Sequence, residues 1–310
     1  MRITYTGNGK FCWEDSAAMM LSNIGESLSP AYLEAISGCG LSAFFDQRTS
    51  WLYFSFALPN EELTHNLNKL GYDIKEVFIP KTGRLPLKEL ILDLKTSPAV
   101  IGPLNMGLLK YNPNHKFLEG RDHFILAYSC NEKGIFIHDP AGFPCVFMTY
   151  NDFGRCWESE NVDYGNKHYH YWTNPERVKK PTAKEIYNQT MEDYRNIYKN
   201  CDKKTLANSW ITGSDAITKE AERFEKNEFN DAEVEFLTYS SFVFATRCAL
   251  DIAYFLQPYN KYLAQIKYKE ADALGMCQVY ATKKSWKALA GELRKISDLE
   301  QSFKSQLLQK

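Results

Sequence analysis

Apolar positions recur three and four residues apart along parts of this chain and every second residue, or in short runs, along others. These periods divide it into two unlike parts. Phe11 to Ile24 carries Trp13, Ala17, Met20, Leu21 and Ile24 at helical spacing, an amphipathic helix closed by Gly25. A short helix follows Ser29-Pro30, where proline suits a first turn. Trp51 to Leu58, rich in aromatics, predicts a strand. Glu61 to Leu70 predicts a helix ended by Gly71, Tyr72 to Ile79 a strand, and Leu87 to Lys95 a helix.

From Pro98 the pattern turns to β. Ala99-Val100-Ile101 is a buried run, and Asn105 to Gly120 a long loop. His123 to Ser129, Gly134 to His138 and Cys145 to Thr149 form an antiparallel meander, with turns at 131–134 and 140–144. Asp152 to Trp157 closes this part as a helix, and Tyr164 to Trp172 is a polar-aromatic stretch ended by Asn174-Pro175. Lys179-Lys180-Pro181-Thr182 is the expected boundary between domains at 1–178 and 182–310. Beyond it the chain predicts helices over Lys184 to Tyr198, Lys204 to Phe224, Asp231 to Leu256, Tyr259 to Ala273 and Ala281 to Leu308. Trp286, Leu289, Leu293, Ile296, Leu299 and Phe303 make one apolar stripe along the last.

Composition fits a globular protein: 44% hydrophobic and 24% charged residues in a chain of 310. A net charge of −1 argues against nucleic acid as a partner, since neutralising phosphates needs a basic excess. Residues 1–10 have no apolar core of signal-peptide length. The most apolar stretch, Phe242 to Leu256, is short and interrupted by Arg247 and Asp251, so no membrane span is expected. Eight cysteines lack Cys-x-x-Cys spacing and a secretory context, which predicts reduced thiols, a cytoplasmic setting and no structural zinc. Most of them are expected as small buried hydrophobes.

One cysteine stands apart. Cys12 opens the first helix, where unpaired N–H groups favour an anion. A thiolate is the nucleophilic form, and a nearby imidazolium also favours it. His123 begins one meander strand and Asp139 ends the next. In an antiparallel pair the start of one strand lies beside the end of its neighbour, so the two side chains can meet. Cys12 as nucleophile, His123 as general base and acid, and Asp139 as the group that orients the ring form a triad. Taken singly, each has a bland alternative: core cysteine, structural histidine, ordinary Asp-Pro turn.

The segments Lys10-Phe11-Cys12-Trp13-Glu14-Asp15-Ser16-Ala17, Pro98-Ala99-Val100-Ile101, Asp122-His123-Phe124-Ile125-Leu126 and Ile135-Phe136-Ile137-His138-Asp139-Pro140 carry a resemblance. From Lys10 to about Trp157 the chain resembles the bacteriocin-processing, papain-like cysteine peptidases and, more closely, the butirosin acyltransferase-like N-terminal domain. The resemblance implies an α+β fold: a papain-like core, with the N-terminal helix packed on an antiparallel sheet, followed by an all-α domain covering or shaping the active site. It also implies the triad roles of Cys12, His123 and Asp139. It makes Asn105 to Tyr111 a substrate-side loop, whose alternative is a surface loop with two anchoring leucines. Two departures weigh against ordinary proteolysis. Thr6 stands where the peptidases have an oxyanion-donating glutamine, and Phe11-Cys12-Trp13 replaces their Asp-Cys-Gly. Asn8 or Lys10 is then the nearest polar candidate for a second donor beside the Cys12 N–H.

The resemblance implies an amide-forming acyltransferase of specialised-metabolite or antibiotic biosynthesis. Its donor would be a thioester on the phosphopantetheine arm of an acyl or peptidyl carrier protein, its acceptor a small amine, with no cofactor bound by the enzyme itself. In size and architecture the chain also resembles papain-like amide synthases of polythioamide (closthioamide-type) assembly. The alternatives are a cysteine peptidase or amidohydrolase and a catalytically dead binding module. His168 and His170 share a face if Lys167 to Tyr171 is a strand, but no third metal ligand is apparent, so no metal is expected. Trp210, Tyr239, Phe242, Phe244 and Tyr254 are helical core or the lining of a cavity between domains. Arg247 and Asp251, four apart, pair with each other or present charge to substrate.

Overall fold

The computed structural model describes residues 4, 6–7, 11–55, 59–162, 168–208 and 210–309. In chain order they form α1 (Cys12–Ser22), α2 (Pro30–Ser37), β1 (Phe44–Asp46), β2 (Trp51–Tyr53), α3 (Pro59–Lys69), β3 (Tyr72–Pro80), α4 (Leu87–Asp93) and β4 (Ala99–Asn105). Then come β5 (Asp122–Cys130), β6 (Gly134–Asp139), β7 (Phe143–Thr149), α5 (Tyr150–Glu158) and β8 (His168–Arg177). The rest is α6 (Ala183–Asn208), β9 (Trp210–Thr212), α7 (Ser214–Lys226), α8 (Asp231–Phe236), α9 (Phe242–Leu256), α10 (Lys261–Thr282) and α11 (Trp286–Leu308). The result is a mixed fold with antiparallel sheets and a helical C-terminal region.

The chain divides into two compact units. One comprises Met1–Leu33 and Leu63–Pro181, the other Glu34–Glu62 and Thr182–Lys310. The first is built on a six-stranded sheet in the order β3-β8-β4-β5-β6-β7, antiparallel at every pair. Helix α5 lays Phe153 and Trp157 on the face that carries Ala99, Ile101, Ile125, Ala127, Ile135 and Ile137, a period of two along each strand. Helix α1 packs on β5. It differs from the expected amphipathic helix, because every residue from Trp13 to Leu21 is buried. Its first-turn acids, Glu14 and Asp15, are buried as well, and an acid there has the helix N-terminus in its favour.

β8 falls in the stretch that the sequence marks as polar-aromatic, with a strand over Lys167 to Tyr171 only as a condition. It lies between β3 and β4, in the interior of the sheet. Its Tyr169, Tyr171 and Trp172 are buried, while the polar residues that hide this pattern find partners: Thr173 Oγ1 donates to the Pro98 carbonyl at 3.0 Å.

The division differs in one respect from the expected domains 1–178 and 182–310: Glu34–Glu62 belongs to the second unit. Phe45, Leu52 and Phe54 are buried in one cluster with Ala216, Phe224, Phe242 and Leu274. Arg223 holds this excursion in place. It bonds Glu220 at 2.9 Å and Glu233, donates to the Ser50 carbonyl at 3.1 Å, and lies over the Phe45 ring. Nor is this unit all-α. β2, β1 and β9 pair as a small sheet, and Gly213 at φ 65° ends β9 before α7 begins. The helix expected from Lys204 to Phe224 is therefore broken by strand and glycine.

All eight cysteines are free thiols, with Cys39, Cys156, Cys201, Cys248 and Cys277 buried. Among the described residues no helix is long and apolar enough to cross a membrane.

Candidate active site

β4 and β5 pair with Leu104 opposite His123 and Asn105 opposite Asp122. β5 and β6 pair with Leu126 opposite His138. One further step of that register sets Asp139 across from Ile125, diagonal to His123. Diagonal partners on one sheet face sit about 7–8 Å apart, within reach of long side chains. The contact is made: His123 Nε2 donates to Asp139 Oδ1 at 2.6 Å.

Asp139 is fully buried and its carboxylate is saturated with donors. Oδ1 also accepts from the Ala141 N–H at 2.7 Å, the bond of an Asp-Pro-Ala-Gly turn. Oδ2 accepts from the Tyr111 hydroxyl at 2.7 Å. Burial alone would raise the pKa of this carboxyl. The charge and hydrogen bond of His123, then the Ala141 N–H and the Tyr111 hydroxyl, outweigh it and hold the value below the usual carboxylate range. Burial likewise disfavours the His123 imidazolium. The carboxylate of Asp139 and the hydrogen bond to it reverse that, with a hydrogen bond and charge from Cys12 adding to them, and push the pKa up to about 10.

Both expected partners therefore act on the charge of the ring. Nε2 is committed to Asp139, which leaves Nδ1 for the sulfur of Cys12. Cys12 is the first residue of α1 and half-exposed, whereas His123 is buried. Among the described residues no side chain caps the start of this helix, where Phe11 occupies the N-cap position. Asp15 N–H is bonded to the Phe11 carbonyl at 2.9 Å, so the helical ladder begins there. The N–H groups ahead of it face the Cys12 end with no partner inside the helix.

Tyr111 contacts Asp139 from the segment that the sequence marks as a loop, a substrate-side one by resemblance. Residues 106–121 leave and rejoin the sheet at the paired ends of β4 and β5, with Met106 N–H bonded to the Arg121 carbonyl at 2.9 Å. Asn105, buried at the base, pins the loop. Its Oδ1 accepts from Gly107 and Gly120 N–H at 2.9 and 3.2 Å, and its Nδ2 contacts Glu119, Ser159 and the Asn161 carbonyl at 2.9–3.0 Å. His115 Nδ1 meets the Gly107 carbonyl at 2.7 Å. Of the two leucines expected as anchors, Leu109 is fully buried. A tyrosine next to Lys110-Asn112 has no periodic pattern to mark it. Burial, then the charge of Asp139, raises the pKa of its hydroxyl, which stays a donor.

The other candidates fall elsewhere. Asn8 and Lys10 lie outside the described residues, and Thr6 among them. His168 and His170 share a strand face. His170 Nε2 bonds Glu76 at 2.7 Å and its ring lies against Trp172, while His168 stacks on Phe78. Among the described residues no three metal-ligating side chains converge. Phe242 is in the core, Trp210 stacks on Phe44, and Tyr239 and Tyr254 are exposed. Arg247 Nε bonds Asp251 at 2.7 Å, the first of the two alternatives for that pair.

Two comparisons with known proteins bear on the whole chain. Residues 207–308 match the family described as the YobF C-terminal domain. The chain is 32% identical over 306 residues to the uncharacterized protein YobF of Bacillus subtilis (strain 168), an alignment covering 99% of this chain and 98% of that one.

Proposed function

The chain belongs to the YobF family, and for this member we propose an enzyme that transfers an acyl group through a thioester on Cys12, within a papain-like core. The observation that carries this reading is the buried pair in which Asp139 holds His123 at 2.6 Å, with Cys12 at a helix N-terminus acting on the same ring.

The chemistry follows from the placement of the proton. With its pKa at about 10, His123 is an imidazolium at neutral pH, the partner that an attacking thiolate needs. The thiolate attacks the carbonyl carbon of a donor thioester and a C–S bond forms. Negative charge collects on the carbonyl oxygen, toward which N–H groups at the start of α1 can donate. One such donor is worth about 3 kcal/mol of barrier. The donor's C–S bond then breaks, and its sulfur leaves with the proton from His123. Now neutral, His123 takes a proton from an incoming amine as its nitrogen attacks the acyl-cysteine. An amide and the starting thiolate–imidazolium pair result. Asp139 fixes the tautomer and stays ionised throughout.

We assign the donor as an acyl or peptidyl carrier protein loaded through its phosphopantetheine arm, and the acceptor as a small amine in a specialised-metabolite pathway. Hydrolysis is the second reading, favoured by one observation: Cys12 is half-exposed, so water can reach the same intermediate. Intact-mass spectrometry after mixing the protein with acyl-loaded carrier protein tests both. A mass gain of one acyl group, absent from Cys12→Ala and discharged onto added amines, is the expected result. Discharge to free acid even with amine present would replace transfer by hydrolysis. A Cys12→Ala protein that still acquires the acyl group would end the proposal.

A further inference from the structure

We propose that the helical unit carries a separate binding site for a phosphate-bearing ligand, in the cleft between α6 and the N-terminus of α10. The cleft holds about 600 Å³, and none of its lining residues is acidic. Lys184, Arg195 and Lys261 line it, together with Tyr187, Tyr259 and Asn260. Among the described residues none of these three cations forms an ion pair. Of the acids on α6, Glu185 accepts from the Thr182 N–H and hydroxyl at 2.7 Å, and Asp193 accepts from Gln189 at 3.3 Å.

Arg195 and Lys184 are held in place without an ion pair among the described residues. Arg195 donates Nε to the Leu307 carbonyl at 3.0 Å, which leaves the outer edge of the guanidinium for a ligand. Lys184 lies over the rings of Tyr187 and Tyr259 at 4.5 and 5.6 Å, and those rings are stacked with centroids 4.4 Å apart. Lys261 is the first residue of α10, a helix running to Thr282. Asn260 caps that helix by accepting from Leu263 N–H at 3.1 Å. The N–H groups of Lys261 and Tyr262 precede any intrahelical partner and point out of the helix end.

Three unneutralised cations around a cavity that also receives a helix N-terminus call for an oxyanion of more than one charge. Phosphate satisfies both requirements. Its oxygens take a bidentate bond from arginine, point charges from lysines and N–H donors from the helix end. A carboxylate offers one charge and too few acceptors for the set. The paired tyrosine rings give an ester substituent an apolar surface to lie against.

A phosphate ester reaches such a cleft either as a free small molecule or on the prosthetic arm of a carrier protein. Calorimetric titration of the full chain with inorganic pyrophosphate is the test. We expect one saturable site, weakened about tenfold by Lys184→Gln and by Lys261→Gln, as loss of one charge-assisted bond implies. Cys12→Ala should bind as the parent does, so the result is independent of the thiol chemistry. Displacement of pyrophosphate by phosphopantetheinylated carrier protein, but not by its unmodified form, would identify the arm as the source. Competition by free phosphate esters alone would identify a small molecule. No binding at millimolar pyrophosphate, or equal binding by both lysine variants with unchanged melting temperatures, overturns the proposal.

Discussion

A carboxylate with no solvent contact is stable only where its lone pairs are filled, and among the described residues Asp139 has three donors that do so: His123, Ala141 and Tyr111. Only one of the three is a backbone group that no substitution removes. Tyr111→Phe takes away the Oδ2 donor and leaves the ring packing intact. A hydrogen bond to a charged group contributes about 1.5–3 kcal/mol, so turnover should fall about 10- to 100-fold with KM nearly steady. Steady-state kinetics beside Cys12→Ala checks this, and a wild-type rate would reduce Tyr111 to packing. The ion pair also sets a pH signature. His123 is raised from 6.5 to about 10, so the stability it contributes is complete below 6.5 and disappears as pH climbs through about 10. Asp139 is lowered from 3.8, so its contribution is complete above 3.8 and lost as pH falls through its lower folded value. Both limbs report one interaction. The gap in urea unfolding free energy between the parent and Asp139→Asn should therefore be widest from about pH 3.8 to 6.5, and it should shrink toward pH 10. A gap that grows with alkalinity would mean that His123 is neutral in the native state.

The loop between β4 and β5 determines where Tyr111 sits, and Asn105 determines where the loop sits. Asn105→Ala leaves the N–H groups of Gly107 and Gly120 and the Glu119 carboxylate without their buried partner. Unpaired buried groups cost about 1–3 kcal/mol each, so we expect a loss of roughly 2–4 kcal/mol and a turnover at least as low as that of Tyr111→Phe. Denaturant titration and kinetics on the same sample test it; an unchanged midpoint would show the loop to be held by Leu109 instead. The contrast between this loop and its surroundings explains what the sequence reveals. The strands of the meander announce themselves by short apolar runs between turn residues. Their register then follows locally, and with it the nearness of His123 to Asp139. Tyr111 reaches Asp139 across a loop whose course depends on side-chain bonds of Asn105, and no period encodes such bonds. β8 is hidden for a related reason. Its histidines, Asn174 and Pro175 read as a polar linker until partners on β3 and β4 satisfy them. The three residues of β9 are too few to interrupt a helical pattern before Gly213 does.

At the scale of the whole molecule the helical periodicity after Thr182 suggests a unit that could be cut out intact, and the buried contacts of Glu34–Glu62 say otherwise. Phe45, Leu52 and Phe54 are 3, 0 and 4% exposed within the core of that unit. Burying each contributes about 1.5–3 kcal/mol, roughly 5–9 kcal/mol for the three. Domain stability as a whole is about 5–15 kcal/mol, so losing these side chains removes most of it. Arg223 loses the Ser50 carbonyl and the Phe45 ring in the same cut, while Glu220 and Glu233 remain buried around it. A fragment spanning 182–310 should keep much of its far-ultraviolet helical signal. It should bind a hydrophobic dye and melt without a cooperative transition, the behaviour of a collapsed chain lacking fixed packing. Joining residues 34–62 through a flexible linker ahead of 182 should restore a sharp transition, because the missing strands then return to their own core. If the bare fragment melts as cooperatively as the full chain, the excursion is an ornament on the helical unit and not part of what folds it.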